Sequence, residues 1–299
     1  MLLIVAEESS RPSSRLRHAL GAASARHRRI PGASSARRQR VPGGNPAYRL
    51  AFLSRRVRVP TRVPPVFRSR PPGNARKYEV PGVPMATLLH IDSALAPQQS
   101  SSREVGAAFV KNWLEAHPGG TVVYRDLAAH PVPHLGWDAL SADFAPAEQR
   151  TEEQRAALAV REELVAELEA ADAVLLAAPM YNFSIPSTLK AWLDQVIVVG
   201  RTGGAEGTVK GLPFTVIASR GGSYAPGTPR ESFEFVTNYV EKVLTGMLGA
   251  EVDFIVPELT LAPVKEELAE LRPLAHASRE RAFEEADAKA KALAARLAA

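Results

Sequence analysis

The chain has 299 residues, a formal net charge of +5 and no cysteine, which excludes disulfides, thiolate nucleophiles and thiolate-held zinc or iron–sulfur centres. No apolar run approaches the 18 or so residues of a membrane-spanning helix. The opening apolar run, residues 1–6, is too short for a signal-peptide core and is followed at once by Glu7 and Glu8.

The charge is divided along the chain. Residues 1–84 carry 18 Arg/Lys against three Asp/Glu, a net of +15, whereas residues 85–299 carry 19 against 29, a net of −10. The first segment is rich in Arg, Ser, Pro and Gly, has weak periodicity, and is expected to be disordered. Its composition is compatible with a basic arm for nucleic acid or anionic membrane, with a transit peptide, or with an extension that has no function and precedes an internal start at Met85. The last reading is favoured. A clean strand pattern begins just after Met85, and the arm lacks the interleaved aromatics of single-strand binders. Residues 85–299 are enough for one full core.

From Met85 onward, short apolar runs alternate with helical patterns. They predict a strand at 87–91, a helix at 101–116 and a strand at 121–125. A Pro-rich connection, 126–146, leads to a long helix at 148–170, a strand at 173–178 and a helix at 186–198, with Pro186 suited to its first turn. A Gly-rich loop, 200–211, precedes a strand at 214–218, a helix at 231–248, a strand at 251–256 and a last helix from about 273. Five strands alternating with helices indicate an α/β fold: a flavodoxin-like doubly wound parallel sheet of five strands in the order 2-1-3-4-5.

In such a sheet the loops after strands one, three and four open on one edge. The first carries Ser93 and then Ser100-Ser101-Ser102 at a helix N-terminus, where free N–H groups, the helix dipole and hydroxyl donors suit a phosphate monoester. No Gly-x-Gly-x-x-Gly follows that strand and no Gly-x-x-x-x-Gly-Lys-Ser/Thr occurs, so a mononucleotide is favoured over a dinucleotide or P-loop ligand. The second loop, Met180-Tyr181-Asn182-Phe183, is polar and aromatic and suits a flat ring. The third, Ser219-Arg220-Gly221-Gly222, holds paired glycines that admit close backbone approach. Together they point to FMN, with its phosphate at the first loop and its ring between the other two. His90 lies inside a strand and reads as a satisfied core histidine. His117, His130 and His134 fall in loops without metal-ligand pairing, so no metal site is read, and no side-chain acid or base is compelled.

Residues 85–299 resemble the FMN-dependent NADH-azoreductases, also described as FMN-dependent NADH:quinone oxidoreductases, of the flavodoxin-like superfamily. The resemblance rests on Ala178-Pro179-Met180-Tyr181-Asn182-Phe183, supported by His90-Ile91-Asp92-Ser93, Phe109 with Trp113, Arg125-Asp126-Leu127-Ala128 and Ser219-Arg220-Gly221-Gly222. It implies FMN contacts from Ser93, Ser100, Ser101, Ser102, Met180, Tyr181, Asn182, Phe183, Ser219, Arg220, Gly221 and Gly222. It further implies NADH as donor, quinones and azo compounds as acceptors, two-electron ping-pong transfer through one shared flavin face, and a cytoplasmic homodimer. Tyr181 and Phe183 are expected to act through ring packing rather than proton transfer. The chain departs from the family at Ala94, where a second Ser is frequent, and at Gly203-Gly204, where an aromatic residue usually follows. The second departure predicts a more open pocket. The alternative reading, a flavodoxin-like electron carrier without a small-molecule substrate, is permitted by the −10 charge. The long C-terminal helix and the 126–146 connection favour the dimeric enzyme.

Overall fold

The computed structural model describes residues 85–96 and 100–299. The expectations for residues 1–84, and for Pro97, Gln98 and Gln99 within the first loop, lie outside the described residues. The elements run β1 (Thr87–Asp92), α1 (Ser101–Ala116), β2 (Thr121–Asp126), α2 (Trp137–Ala142), α3 (Glu152–Glu169), β3 (Ala173–Ala177), α4 (Ser187–Val196), β4 (Pro213–Ile217), α5 (Thr237–Leu248), β5 (Glu251–Ile255) and α6 (Arg272–Leu297). All strand pairs are parallel, in the order β2-β1-β3-β4-β5, the arrangement expected from the sequence.

A parallel sheet covered on both faces needs apolar side chains on both. The central strand β3, Ala-Val-Leu-Leu-Ala, is buried at every position, while the edge strands β2 and β5 hold exposed residues. On one face Leu89, Ile91, Val174, Leu176 and Phe214 pack with Leu164, Leu168, Trp192, Val196, Val240 and Leu244 of α3, α4 and α5. On the other, Leu88, Leu175 and Ile217 meet Phe109 and Trp113 of α1 and a stripe of α6 alanines, Ala282, Ala286, Ala290 and Ala294. Alanine at every fourth position places one small face along α6.

Several boundaries differ from expectation, each for a local reason. The helix expected from 148 begins at Glu152, because Thr151 and Gln154 form a reciprocal capping box. Residues Ala147–Gln149 make a separate 3₁₀ turn. The helix expected from 231 begins at Thr237. There the Glu234 carboxylate accepts the N–H groups of Val236 and Thr237, each at 3.0 Å, and Glu231–Phe233 form their own 3₁₀ turn. The 126–146 connection holds the short α2, which its proline content concealed. The Gly200–Gly211 loop lies at the amino-terminal edge of the sheet. Gly204 N–H donates to the Met247 carbonyl (3.1 Å) and Gly211 N–H to the Gly249 carbonyl (2.9 Å), both beside the start of β5. That is the edge opposite the binding loops, so Gly203-Gly204 does not open a pocket there within a single chain.

His90 belongs to the core, as expected, but it is not satisfied. It is 7% exposed, meets Tyr124 edge-on with ring centroids 5.0 Å apart, and its Nε2 has no hydrogen-bond partner among the described residues. Gly106 makes room for it; a Cβ at Gly106 would stand 3.1 Å from that nitrogen. Burial first, and the Arg103 charge second, push its pKa down from 6.5 to about 4. Between those values the unfolded chain holds a proton that the folded chain does not. Stability is therefore lost as pH falls through this window, by roughly 3 kcal/mol at its lower end. Urea unfolding of the protein and of His90→Leu at pH 7, 5.5 and 4 should show a smaller acid-induced loss in the variant. Equal losses would assign the acid sensitivity to other groups.

Candidate functional site

The loops after β1, β3 and β4 meet at the carboxyl edge, tied by three hydrogen bonds. Ser93 Oγ donates to the Ala177 carbonyl at 2.6 Å. Leu95 N–H donates to the Tyr181 hydroxyl at 3.1 Å, and Met180 N–H donates to the Ser219 carbonyl at 2.8 Å. The three predicted loops are thus neighbours. Tyr181, expected to act through ring packing rather than proton transfer, also braces loop one through its oxygen.

The start of α1 is open. Ser100 is its extended N-cap residue, yet its side chain makes no capping hydrogen bond. Ser100 Oγ lies 3.1 Å from Ser102 Oγ, and Ser102 is fully buried. Glu104 N–H makes the first intrahelical bond, to the Ser100 carbonyl, so the N–H groups of Ser101, Ser102 and Arg103 have no partner within the helix. The start of α4 is similar: Pro186 offers no side-chain cap, and the buried Thr188 Oγ1 has no partner. By contrast α3 has its capping box and α5 has Glu234. α2 and α6 likewise lack a side-chain cap; what sets α1 and α4 apart is that they start beside the converging loops, α1 with hydroxyls suited to phosphate.

Arg103 closes loop one from within. Its Nη2 donates to the Ala94 carbonyl at 2.8 Å. Its Nη1 donates to Tyr124 Oη and to Asp126, each at 2.9 Å, and stands 3.1 Å from Asp92. Burial raises the carboxyl pKa of Asp92, with Ala94 N–H and Arg103 opposing it. At Asp126 burial is outweighed by hydrogen bonds from Arg103 and from Ala129 and Ala128 N–H, which hold the carboxyl below its ordinary range. Sequence reasoning left Arg103 without a role. The available signal was a pair of aspartates ending two adjacent strands, Asp92 opposite Asp126.

Tyr181 and Ser184 exchange both backbone hydrogen bonds, at 2.8 and 3.0 Å, around Asn182 (φ 51°) and Phe183 (φ 67°). Two positive φ values make this a type I′ turn. Asn accepts the left-handed region; a phenylalanine there costs about 1–2 kcal/mol. The strained turn holds the Phe183 ring 41% exposed, 5.0 Å from Phe233 and 6.2 Å from Tyr224 between ring centroids. Phe233 and Tyr224 are absent from the predicted contacts.

In the third loop Ser219 is buried and Arg220 turns inward. The guanidinium lies 3.3 Å from Glu234 and 3.0 Å from Glu258, all three side chains being largely buried. Glu258 also accepts Tyr224 N–H at 2.9 Å and the Ser223 hydroxyl at 3.1 Å. The Arg220 side chain therefore braces the loop from behind. Gly221 has a packing reason of its own: a Cβ would stand 2.6 Å from Leu261 Cδ1. Leu261 N–H and Leu259 N–H pair with the Gly221 and Gly222 carbonyls.

A family profile described as the flavodoxin-like fold matches residues 86–292. The FMN-dependent NADH:quinone oxidoreductase of Streptomyces coelicolor is 59% identical over 216 residues, spanning 72% of this chain and 98% of its own length. The protein of the same name from Streptomyces avermitilis is 60% identical over 217 residues, 72% of this chain and all of its own. Among solved structures, an azoreductase from Bacillus anthracis superposes with a TM-score of 0.60 at 28% identity, covering 69% of this chain and 99% of that one.

The left-handed turn yields a direct test. Asn182→Gly should leave stability nearly unchanged, whereas Asn182→Val should lower the unfolding free energy by about 1–2 kcal/mol. Denaturant midpoints at constant slope would measure both. A harmless Asn182→Val would mean that the turn does not hold its positive φ in solution.

Proposed function

The chain belongs to the flavodoxin-like family of FMN-dependent NADH:quinone oxidoreductases, and from that membership we propose that it uses NADH to reduce quinones and azo compounds through FMN bound at the carboxyl edge. The observation that carries the placement is the uncapped start of α1, with Ser100, Ser101 and Ser102, beside the strained Asn182–Phe183 turn. The residues fit the group. The three serines and the free N–H groups of the first helical turn would hold the phosphate, with Ser93 beneath them. Met180 to Phe183 and Ser219 to Gly222 would border the ring from two sides. When bound, FMN supplies two-electron transfer, so that NADH, a proton and a quinone become NAD⁺ and a hydroquinone.

The chain's own part is positional and electrostatic. Free N–H groups and the positive end of the α4 dipole favour negative charge at the ring edge they face. Phe183, Tyr224 and Phe233 shield one side from water. Arg220, neutralised by Glu234 and Glu258, fixes the third loop. With no acid or base singled out in the site, water supplies the protons that the acceptor takes up. One ring face bordered by loops from a single sheet edge supports alternate use by donor and acceptor, hence ping-pong turnover. The exposed Trp137 and Phe144 of the 126–146 connection, 76% and 70% accessible, support a homodimer. Consumption of NADH supports a cytoplasmic location.

Replacing Ser100, Ser101 and Ser102 together by Ala should weaken FMN binding roughly tenfold or more. It should barely change the stability of the flavin-free protein, since none of the three caps the helix. Fluorescence titration of FMN would read the first effect and denaturant unfolding the second. Unchanged affinity would move the phosphate elsewhere. Initial-rate plots at several quinone concentrations should give parallel lines; intersecting lines would require both substrates to bind together and would sink the shared-face mechanism.

A further inference from the structure

The third loop continues into a segment to which the cofactor assignment gives only a shielding role. Phe183, Phe233 and Tyr224 form one aromatic cluster, with Phe183 and Phe233 41% and 44% exposed. Arg230 stands at its rim. Phe233 N–H donates to the Arg230 carbonyl at 3.0 Å, which closes the turn between the two residues. The position a Cβ would take at Gly222 lies 3.4 Å from the Tyr224 ring and 3.8 Å from Arg230 Nη1. The Arg230 side chain is exposed and makes no ion pair among the described residues. The carboxylates nearby are engaged elsewhere: Glu231 accepts Gly227 N–H at 2.8 Å, Glu234 caps α5 and pairs with Arg220, and Glu258 holds Arg220, Ser223 and Tyr224.

We infer that Phe183, Phe233, Tyr224 and Arg230 form an acceptor subsite selective for planar aromatic compounds that carry an anionic substituent, such as a sulfonate or carboxylate. The inference rests on the flavin site proposed above, which Phe183 and Gly222 border. Exposed aromatic faces recognise a flat apolar ring. A guanidinium with no competing carboxylate offers a planar fork of donors to an oxyanion on that ring's edge. The remainder of the ring would lie toward the flavin side of Phe183.

The test uses FMN-loaded protein and two non-reducible probes of similar shape, naphthalene-2-sulfonate and 2-naphthol, bound in a calorimeter. Arg230→Gln should weaken the sulfonate roughly threefold to fivefold and leave 2-naphthol unaltered. Phe233→Ala should weaken both. Arg281→Gln, which removes an exposed charge on α6, should change neither. The sulfonate preference should shrink with added salt. In turnover, the ratio of kcat/KM for 1,4-naphthoquinone-2-sulfonate to that for 1,4-naphthoquinone should fall in Arg230→Gln by a similar factor; comparison with the unsubstituted chain removes the intrinsic reactivity of the two quinones. Flavin absorbance is read first. A protein that takes up no FMN overturns the functional reading and the subsite with it. Bound FMN with an unchanged sulfonate preference in Arg230→Gln overturns the subsite alone. So does a loss confined to kcat/KM for NADH, which would assign Arg230 to the donor's phosphates.

Discussion

The free N–H groups at the start of α1 are the constraint on which the site depends. A helix end buried without partners is costly, and most helices resolve it locally. Here α3 uses Thr151 with Gln154 and α5 uses Glu234. At α1 and α4, as at α2 and α6, the N-cap residue's side chain makes no capping bond among the described residues. Of these, α1 and α4 follow strands, β1 and β3, that are neighbours in the sheet. Their open ends therefore share one edge, and the same crevice receives the loop after β4. In the function proposed above, a phosphate-bearing planar ligand would satisfy what the chain leaves unsatisfied.

Two buried charge clusters keep that edge in shape from opposite sides. Arg103 holds both ends of loop one against Asp92 and Asp126, and Arg220 holds loop three against Glu234 and Glu258. Burial makes such clusters weak sources of net stability, yet removal of one partner leaves an uncompensated charge and costs several kcal/mol. Their contribution is geometric. Each joins segments that are distant in sequence, β1 with β2 at one end and α5 with the segment after β5 at the other. The loops between them are held without spending the exposed groups that a ligand needs.

The costs of this arrangement are visible. Phe183 stays in a left-handed backbone region that its side chain disfavours, and its ring remains half in solvent. His90 stays neutral and buried with one nitrogen unpartnered behind the same edge. Strain held in such a turn is informative because the surrounding fold must over-determine it. Here the Tyr181 oxygen, the Ser219 carbonyl and the reciprocal Tyr181–Ser184 bonds do so.

By itself the sequence determined the alternation of strands and helices, the parallel order of the sheet, and the gathering of Ser100–Ser102, Met180–Phe183 and Ser219–Gly222 at one edge. Those properties follow from local periodicity, turn residues and the handedness of crossovers, which act over a few residues at a time. Tertiary structure alone decided the rest. Arg103 gained its role from an aspartate 23 positions away on another strand. Arg220 gained its role from Glu258, on the far side of α5 in the chain. Gly221 proved to be required by Leu261, and the Gly203-Gly204 loop proved to lie at the opposite edge. Phe233 joined the aromatic cluster through Phe183, which stands 50 positions earlier in the chain. In each case the deciding contact is between side chains or backbone groups that have no periodic relation in sequence. Only the packed chain brings them within the few ångströms over which ion pairs, hydrogen bonds and steric exclusion act.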